Sequence, residues 1–353
     1  MTSPLRDIAS ADGFTSRGVN ATAAGRARRR ICFFVKAQGP EILKRVEFYA
    51  QDIQILTELG FEVQIATRLR DMRPADAYFV WWWTWAFAPL ALAKLLGRPL
   101  IITGVLDLWA WDQRPWHQKL LMRTALCAAD VNVFCSEMEF RDVPARFRTR
   151  APHYIPLSVD TERYAPGSGH ERPIIVSVGW LQKGNAERKG MYDLVRAAPL
   201  IHAAHPEVRF VIIGEKGTAY PELAALAASL GAAEYIEFAG PLPAEEKIRL
   251  VQDCMVYLQP TRHEGFGVAI LEALGCGAPV VTRAAGAVGE VVGDAARLVA
   301  GTDPVEVAGA VNALLDDPAM RDSLRARGRA RAVGTYSLGR RREAIAALLD
   351  AIG

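Results

Sequence analysis

Residues 263–281 read "HEGFGVAILEALGCGAPVV" and hold two glutamates, Glu264 and Glu272, with Gly265, Phe266 and Gly267 between them. Two carboxylates invite reading as a hydrolytic acid/base pair, which needs carboxyl groups about 5–9.5 Å apart. On a continuous helix, eight residues separate the backbones by about 12 Å along the axis and about 80° around it, so such a pair does not converge on one bond. The glycines instead predict a turn after a strand at 255–260, with Glu264 in the turn and a helix opening near Phe266. The free N–H groups of that helix suit phosphate or sugar oxygens. Glu272, two turns along, then reaches another part of the same elongated ligand. A second stretch, "SVGWLQKGNAERKGMYDLVRAA" (177–198), places Lys183, Arg188 and Lys189 in a loop between a strand ending at Gly179 and a helix starting near Gly190. Cations there can neutralise a diphosphate leaving group. The loop is neither a Walker A motif nor GxGxxG. No Ser-His-Asp or Cys-His arrangement stands out, and no acidic cluster has metal-ligand spacing, so neither metal nor cofactor is expected.

Positioning these segments requires strands that deliver loops to one cleft. Short β-branched or aromatic runs alternate with helical patterns, the signature of βαβ units in parallel sheets. Runs at 31–37, 61–67, 77–83, 99–103 and 131–136 predict buried strands in a first half, with a helix over 41–60 whose apolar face carries Ile42, Val46, Tyr49, Ile53 and Leu56. A polar, proline-rich stretch at 156–173 reads as a linker. The alternation then restarts at 174–180, 208–214, 235–240, 255–260 and 279–283. The expectation is an α/β protein with two Rossmann-like domains, 29–165 and 166–335, facing across a cleft that holds the active site. Residues 1–28 read as a mobile basic tail, and a last helix within 336–353 can pack back on the first domain.

Composition narrows the partners. A chain of 353 residues with a net charge of +3 carries no argument for a nucleic-acid partner. Cys32, Cys127, Cys135, Cys254 and Cys276 form an odd set without CxxC spacing, which points to a reducing cytoplasm and away from a disulfide framework or zinc. The apolar run from Ala77 to Ala93 contains Pro89 and falls short of the roughly 20 uninterrupted residues of a membrane span. Seven tryptophans lie between 81 and 116. Trp81 and Trp83 fit burial in a sheet, whereas Trp109, Trp111 and Trp116 sit in a polar segment where they can stack on a sugar or rest at a membrane interface. With Arg26, Arg28, Arg29 and Arg30 they suit peripheral contact with an anionic membrane. The arginines at 321–331 and 340–342 read as a solvated helix face. His263 is placed either to touch a ligand or to orient Glu264.

Glu-Gly-Phe-Gly, seven residues between the glutamates, and then "GCGAPVV" resemble the donor-binding signature of retaining GT-B glycosyltransferases of the large family four. "VGW…RKGMYDLVRA", "VIIGEKG", "PLSVDTERYAP" and "GEVVGDAARLV" extend the similarity over roughly 156–335, while 31–155 matches in outline. The resemblance implies a cytoplasmic, metal-independent enzyme moving a hexose from a nucleotide diphosphate sugar to a sugar or lipid-linked acceptor. It implies that Glu264 orients the donor sugar, that the amides of Gly265, Phe266 and Gly267 bind it, and that Glu272 accepts the ribose hydroxyls. Lys189 would hold the diphosphate, with Lys183, Arg188, Gly39 and Gly214 on the donor side as well. Trp180 stands where the family carries Arg, and Val105 where it carries His. Asp107, Trp109 and Trp111 are then the acceptor-side candidates. Alternatives are a sugar-nucleotide epimerase on a similar scaffold, or a non-catalytic protein that binds nucleotide sugars or glycans.

Overall fold

The computed structural model describes residues 29–352; the tail expected over 1–28, with Arg26 and Arg28, lies outside them. The first half interleaves β1 (Arg30–Val35), α1 (Ile42–Arg45), α2 (Glu47–Glu58), β2 (Glu62–Ala66), β3 (Ala77–Trp81), α3 (Phe87–Leu95), β4 (Leu100–Gly104), α4 (Trp116–Ala128), β5 (Val131–Phe134), α5 (Glu137–Arg146) and β6 (Pro152–Tyr154). The second half begins with β7 (Arg172–Val178), α6 (Lys183–Arg188), α7 (Met191–Ala204), β8 (Arg209–Ile213), α8 (Tyr220–Ser229), β9 (Ile236–Gly240), α9 (Ala244–Asp253) and β10 (Cys254–Gln259). It closes with α10 (Val268–Gly275), β11 (Val280–Arg283), α11 (Val288–Val292), β12 (Ala296–Val299), α12 (Pro304–Asp316), α13 (Pro318–Tyr336) and α14 (Leu338–Ala351).

Among the described residues the strands form two six-stranded sheets, ordered β2-β1-β3-β4-β5-β6 and β12-β11-β10-β7-β8-β9. Every pairing is parallel. Helices cover both faces of such sheets, which is why β3 is an apolar run buried at every position and β5 is buried throughout, its one polar residue Asn132 included. In the second sheet the strand order reverses between β7 and β10. Loops leaving the carboxyl ends of strands at such a reversal border the ligand crevice of an open parallel sheet. The connection after β7, which includes α6, carries Lys189, and the loop after β10 carries Glu264.

Several expectations are corrected. The helix expected over 41–60 breaks at Val46, whose extended backbone (φ −116°, ψ 100°) separates α1 from α2. The presumed linker at 156–173 is partly core: Leu157, Val159 and Tyr164 are buried, and Val159 bridges to Ser337. The cationic loop at 183–189 is instead the short helix α6, closed by Lys189. Trp83 leaves the strand because Trp82 adopts φ +77°, yet both Trp81 and Trp83 are buried.

Of the arginines expected to form a solvated face, Arg327, Arg340 and Arg342 are exposed, whereas Arg321, Arg325, Arg329, Arg331 and Arg341 turn inward to protein partners. Arg321 donates to the Leu314 and Leu315 carbonyls at 2.7 and 2.9 Å and pairs with Glu171 at 3.0 Å. Arg329 donates to the carbonyls of Thr161, Tyr164 and Gly275. Helix ends and irregular turns leave carbonyls without backbone donors, and a five-donor guanidinium can satisfy several at once. Arg341, on α14, crosses to the first sheet's lobe. It forms a two-pronged pair with Asp52 at 2.7 and 3.0 Å, both side chains being almost wholly buried. Asp52 also accepts the Trp81 Nε1–H at 3.1 Å.

Candidate active site

The main chain of Glu264 is fixed before its side chain is placed. Its carbonyl accepts the Ala287 N–H at 2.9 Å and it bridges to Gly286. Gly286 has φ +66°, and a Cβ there would run into the Glu264 carbonyl. On the facing side, Gly190 has φ +72° and lies against the carbonyl of Pro260, so a larger residue would push the start of α7 away from β10. These two close approaches bring the end of α6 to the Glu264 loop.

There the buried Glu264 carboxylate sits between two cations. Lys189 Nζ lies 2.9 Å from Oε1, and Arg188 donates to Oε2. Gln259 Nε2 adds a hydrogen bond to Oε1 at 3.2 Å. Burial pushes this carboxyl group up, but Lys189 and Arg188 outweigh it and hold Glu264 below the usual carboxylate range. Gly265 backs onto Val105 of the first lobe, and Gly267 (φ +97°) opens α10. Phe266 is buried with its ring edge-on to Tyr336, so any contribution to a ligand comes from its backbone.

Glu272 occupies a separate polar cluster. Lys247 of α9 bonds to Glu272 Oε2 and to the Tyr164 hydroxyl, both at 2.9 Å. Tyr164 donates on to Glu47 of the first lobe at 2.6 Å. Burial raises the Glu272 carboxyl pKa, Glu47 adds to the rise, and Lys247 opposes it. The two glutamates thus have distinct partners, and their carboxylates face different surroundings.

The lobes touch beside Glu264. Trp109 stacks on His263, with ring centroids 5.2 Å apart, and His263 Nε2 lies 3.1 Å from Asp107 Oδ1. His263 therefore meets the opposite lobe and not Glu264. Asp107 is held in a left-handed backbone (φ +58°) by Glu139, which accepts the N–H groups of Leu106 and Asp107 at 3.1 and 2.7 Å. Burial drives the Glu139 carboxyl up to about 7. Below this contact opens a cavity of about 640 Å³, lined by Trp109 and Gln113 from the first lobe and by α6, α7, Glu222 and Arg262 from the second.

Other expected site residues are dispersed. Lys183 pairs with Glu222 at 3.2 Å and lines that cavity without joining Glu264. Gly214 ends β8 against the Gly179 carbonyl, and Gly39 follows β1 beside Glu41. Trp111 is buried against Phe147, with centroids 4.4 Å apart, which removes it from any acceptor surface. Gln259, Lys247, Tyr164, Glu47 and Glu139 were not singled out by the sequence, because each lies on an ordinary helix, strand or loop, and only tertiary packing gives it a partner. Among the described residues no group of His, Cys, Asp or Glu could hold a metal ion, and no helix is long and apolar enough to cross a membrane.

Two facing parallel sheets with the charged site between them define a GT-B glycosyltransferase fold. Solved structures agree: the chain superposes on sucrose-phosphate synthase from Thermosynechococcus elongatus with a TM-score of 0.77 at 16% identity, over 92% of this chain and 99% of that one. Anabaena HepE in complex with UDP and glucose gives 0.74 at 16% identity, over 92% and 100% of the two chains. The family described as "Glycosyl transferases group 1" matches residues 158–331. A GDP-mannose-dependent alpha-(1-6)-phosphatidylinositol monomannoside mannosyltransferase from Mycolicibacterium smegmatis is 32% identical over 295 residues, covering 76% of this chain and 75% of that protein. A D-inositol 3-phosphate glycosyltransferase from Acidothermus cellulolyticus is 34% identical over 190 residues, 48% of this chain and 41% of that protein. The chain belongs to this family, and its activity class is glycosyl transfer.

Proposed function

We propose that the protein is a retaining, metal-independent hexosyltransferase that moves mannose from GDP-mannose to a hydroxyl of a phosphorylated polyol or glycolipid. The observation that carries this reading is the Lys189–Glu264–Arg188 arrangement at the mouth of α10. A nucleotide diphosphate sugar laid along the carboxyl ends of β7 and β10 meets two cations for its diphosphate and a fixed carboxylate for its sugar hydroxyls. The bond from the sugar's anomeric carbon to the diphosphate oxygen breaks, and a new bond to the acceptor oxygen forms on the same face. The acceptor's proton passes to the departing phosphate oxygen, so no side-chain base is required. Lys189, Arg188 and the N-terminus of α10 meet the leaving group's charge in place of a metal ion. GDP-mannose as donor is supported by the 32% identical mannosyltransferase.

Exposed Trp116 and Leu120, one turn apart on α4 and flanked by Lys119 and Arg123, support peripheral contact with an anionic membrane on its cytoplasmic side. Incubating the protein with GDP-mannose and D-inositol 3-phosphate or phosphatidylinositol, in buffer containing EDTA, tests the reading. An α-linked mannosyl product, seen by NMR, is expected. A β-linked product overturns retention, and activity restored by a divalent ion overturns metal independence. Turnover of the donor without an acceptor, giving an isomeric sugar nucleotide, would favour an epimerase.

A further inference from the structure

The first turn of α5 is a junction that donor binding leaves unexplained. The N-terminal amides of a helix have no partners within it. Ser136 caps the Glu139 N–H at 3.2 Å. The amides of Glu137 and Met138 donate instead across the lobes, to Oε1 and Oε2 of Glu290 at 2.9 and 3.1 Å. Glu290 belongs to α11, and its main chain is anchored separately from its side chain. Arg331 and Tyr336 both donate to its carbonyl, the latter at 2.9 Å. Burial raises the Glu290 carboxyl pKa and the neighbouring Glu137 adds to the rise, against the two α5 amides that lower it. The ionised carboxylate is therefore held there at a cost, so stability alone does not account for the contact.

Both sides of this contact lead back to Glu264. In the second lobe, Ala287 donates to the Glu264 carbonyl at 2.9 Å and Glu264 bridges to Gly286, just before α11. In the first lobe, Glu139 of the same α5 turn accepts the Leu106 and Asp107 amides at 3.1 and 2.7 Å. It thereby fixes the segment whose Asp107 and Trp109 meet His263. Beside Glu264, then, the lobes are tied through His263 and again through Glu290. A single polar contact lets one body pivot about it, and a second, set apart from the first, removes the pivot. The His263 tie is the softer of the two, because Trp109 is 60% exposed. Glu290 contributes two charge-assisted hydrogen bonds aligned with the α5 dipole.

We propose that Glu290 is a positioning residue for glycosyl transfer: its carboxylate, seated on the first turn of α5, sets the 105–109 segment against the Glu264 site. The inference rests on the glycosyltransferase reading and extends it to a residue outside the donor contacts. Glu290→Gln tests it in the full chain, since the carbonyl's bonds to Arg331 and Tyr336 do not involve the side chain. The new amide keeps one acceptor oxygen and turns a donor toward the other α5 N–H. Hydrogen exchange of the GDP-saturated protein should quicken about tenfold at the Glu137 and Met138 amides. It should also quicken at Leu106 and Asp107, whose amides bond to Glu139 and not to Glu290. With GDP-mannose and D-inositol 3-phosphate, kcat should fall about tenfold while the KM for GDP-mannose, GDP affinity and melting temperature stay at wild-type values. Unchanged exchange at Leu106 and Asp107, or an unchanged kcat, overturns the proposal. A parallel loss of GDP affinity and melting temperature overturns it as well, because that marks a purely structural role. A wild type that transfers no mannose overturns the glycosyltransferase reading instead, and exchange at Leu106 and Asp107 still decides whether Glu290 positions the segment.

Discussion

Replacing Glu264 by Gln removes the anion between Lys189 and Arg188 while keeping its shape. The Lys189 pair is short, 2.9 Å, and both side chains are mostly buried, 12% and 8% exposed. Breaking such a pair costs about 3–5 kcal/mol because the remaining charge is left buried. Gln retains one acceptor oxygen and Arg188 can rehydrate, so the expected loss in urea unfolding is about 3 kcal/mol. The same vacancy should favour a diphosphate, which restores the missing charge. With charged hydrogen bonds worth about 1.5–3 kcal/mol each, GDP should bind E264Q about tenfold more tightly than wild type and recover stability by mass action. Transfer of mannose should be lost, since a diphosphate can replace the charge but not the group that orients the sugar. The acid limb of stability should change as well. The folded-state pKa of Glu264 lies below the ordinary carboxylate value, so its contribution is complete above that value and is lost as pH falls through the depressed one. E264Q should flatten this limb. Weaker GDP binding by E264Q than by wild type, measured calorimetrically, would refute the charge-exchange argument.

Three further outcomes follow from the packing. Asp52→Asn leaves Arg341 buried without its counter-ion and should cost about 3–5 kcal/mol in denaturant unfolding, whereas a paired Asp52→Leu/Arg341→Met replacement should cost much less; equal costs would contradict the pairing. Gly190→Ala places a side chain in a left-handed backbone against Pro260; the strain of about 1–3 kcal/mol should displace Lys189 and lower kcat more than thermal stability, and unchanged turnover would contradict that coupling. Glu139, raised from 4.5 to about 7, keeps a proton in the folded chain that the unfolded chain releases, so its contribution falls by about 3 kcal/mol as pH rises through that window. The stability difference between wild type and Glu139→Gln should change by that amount between pH 4.5 and 7, and a pH-independent difference would show that Glu139 does not titrate there.

The strands were legible because parallel sheets covered on both faces demand apolar runs, and "ICFFV" or "AYFVW" can satisfy that demand in few other ways. The turn after β10 was legible for the same local reason: glycines flank Phe266 where the chain must reverse into α10. What failed were inferences about charge. Arg321, Arg329 and Arg341 look like any helix surface in sequence, since the carbonyls and carboxylates they satisfy belong to segments up to 289 residues away. Trp111 failed likewise, because the polarity of its neighbours concealed the buried face of Phe147. Asp193 and Arg262, 69 residues apart, gave no signal by spacing, although an acid on the otherwise apolar face of α7 is the kind of position that needs a partner.

Donor binding on the proposed reading is an exchange of partners at both ends of the ligand. At one end Lys189 and Arg188 turn from Glu264 toward the diphosphate. At the other, ribose hydroxyls donating to Glu272 compete with Lys247, whose amine also holds the Tyr164 hydroxyl. Tyr164 in turn donates to Glu47, which belongs to the first lobe. A ribose that draws Glu272 away from Lys247 leaves that amine nearer to Tyr164 and Glu47, strengthening the tie across the lobes as the nucleotide arrives. The diphosphate end does the reverse, since freeing Glu264 from two cations lets its carboxylate meet the sugar. Nucleotide recognition and sugar orientation are therefore linked through charge: the ligand's anions displace the protein's own, and each displaced carboxylate becomes available to a hydroxyl group on the same ligand.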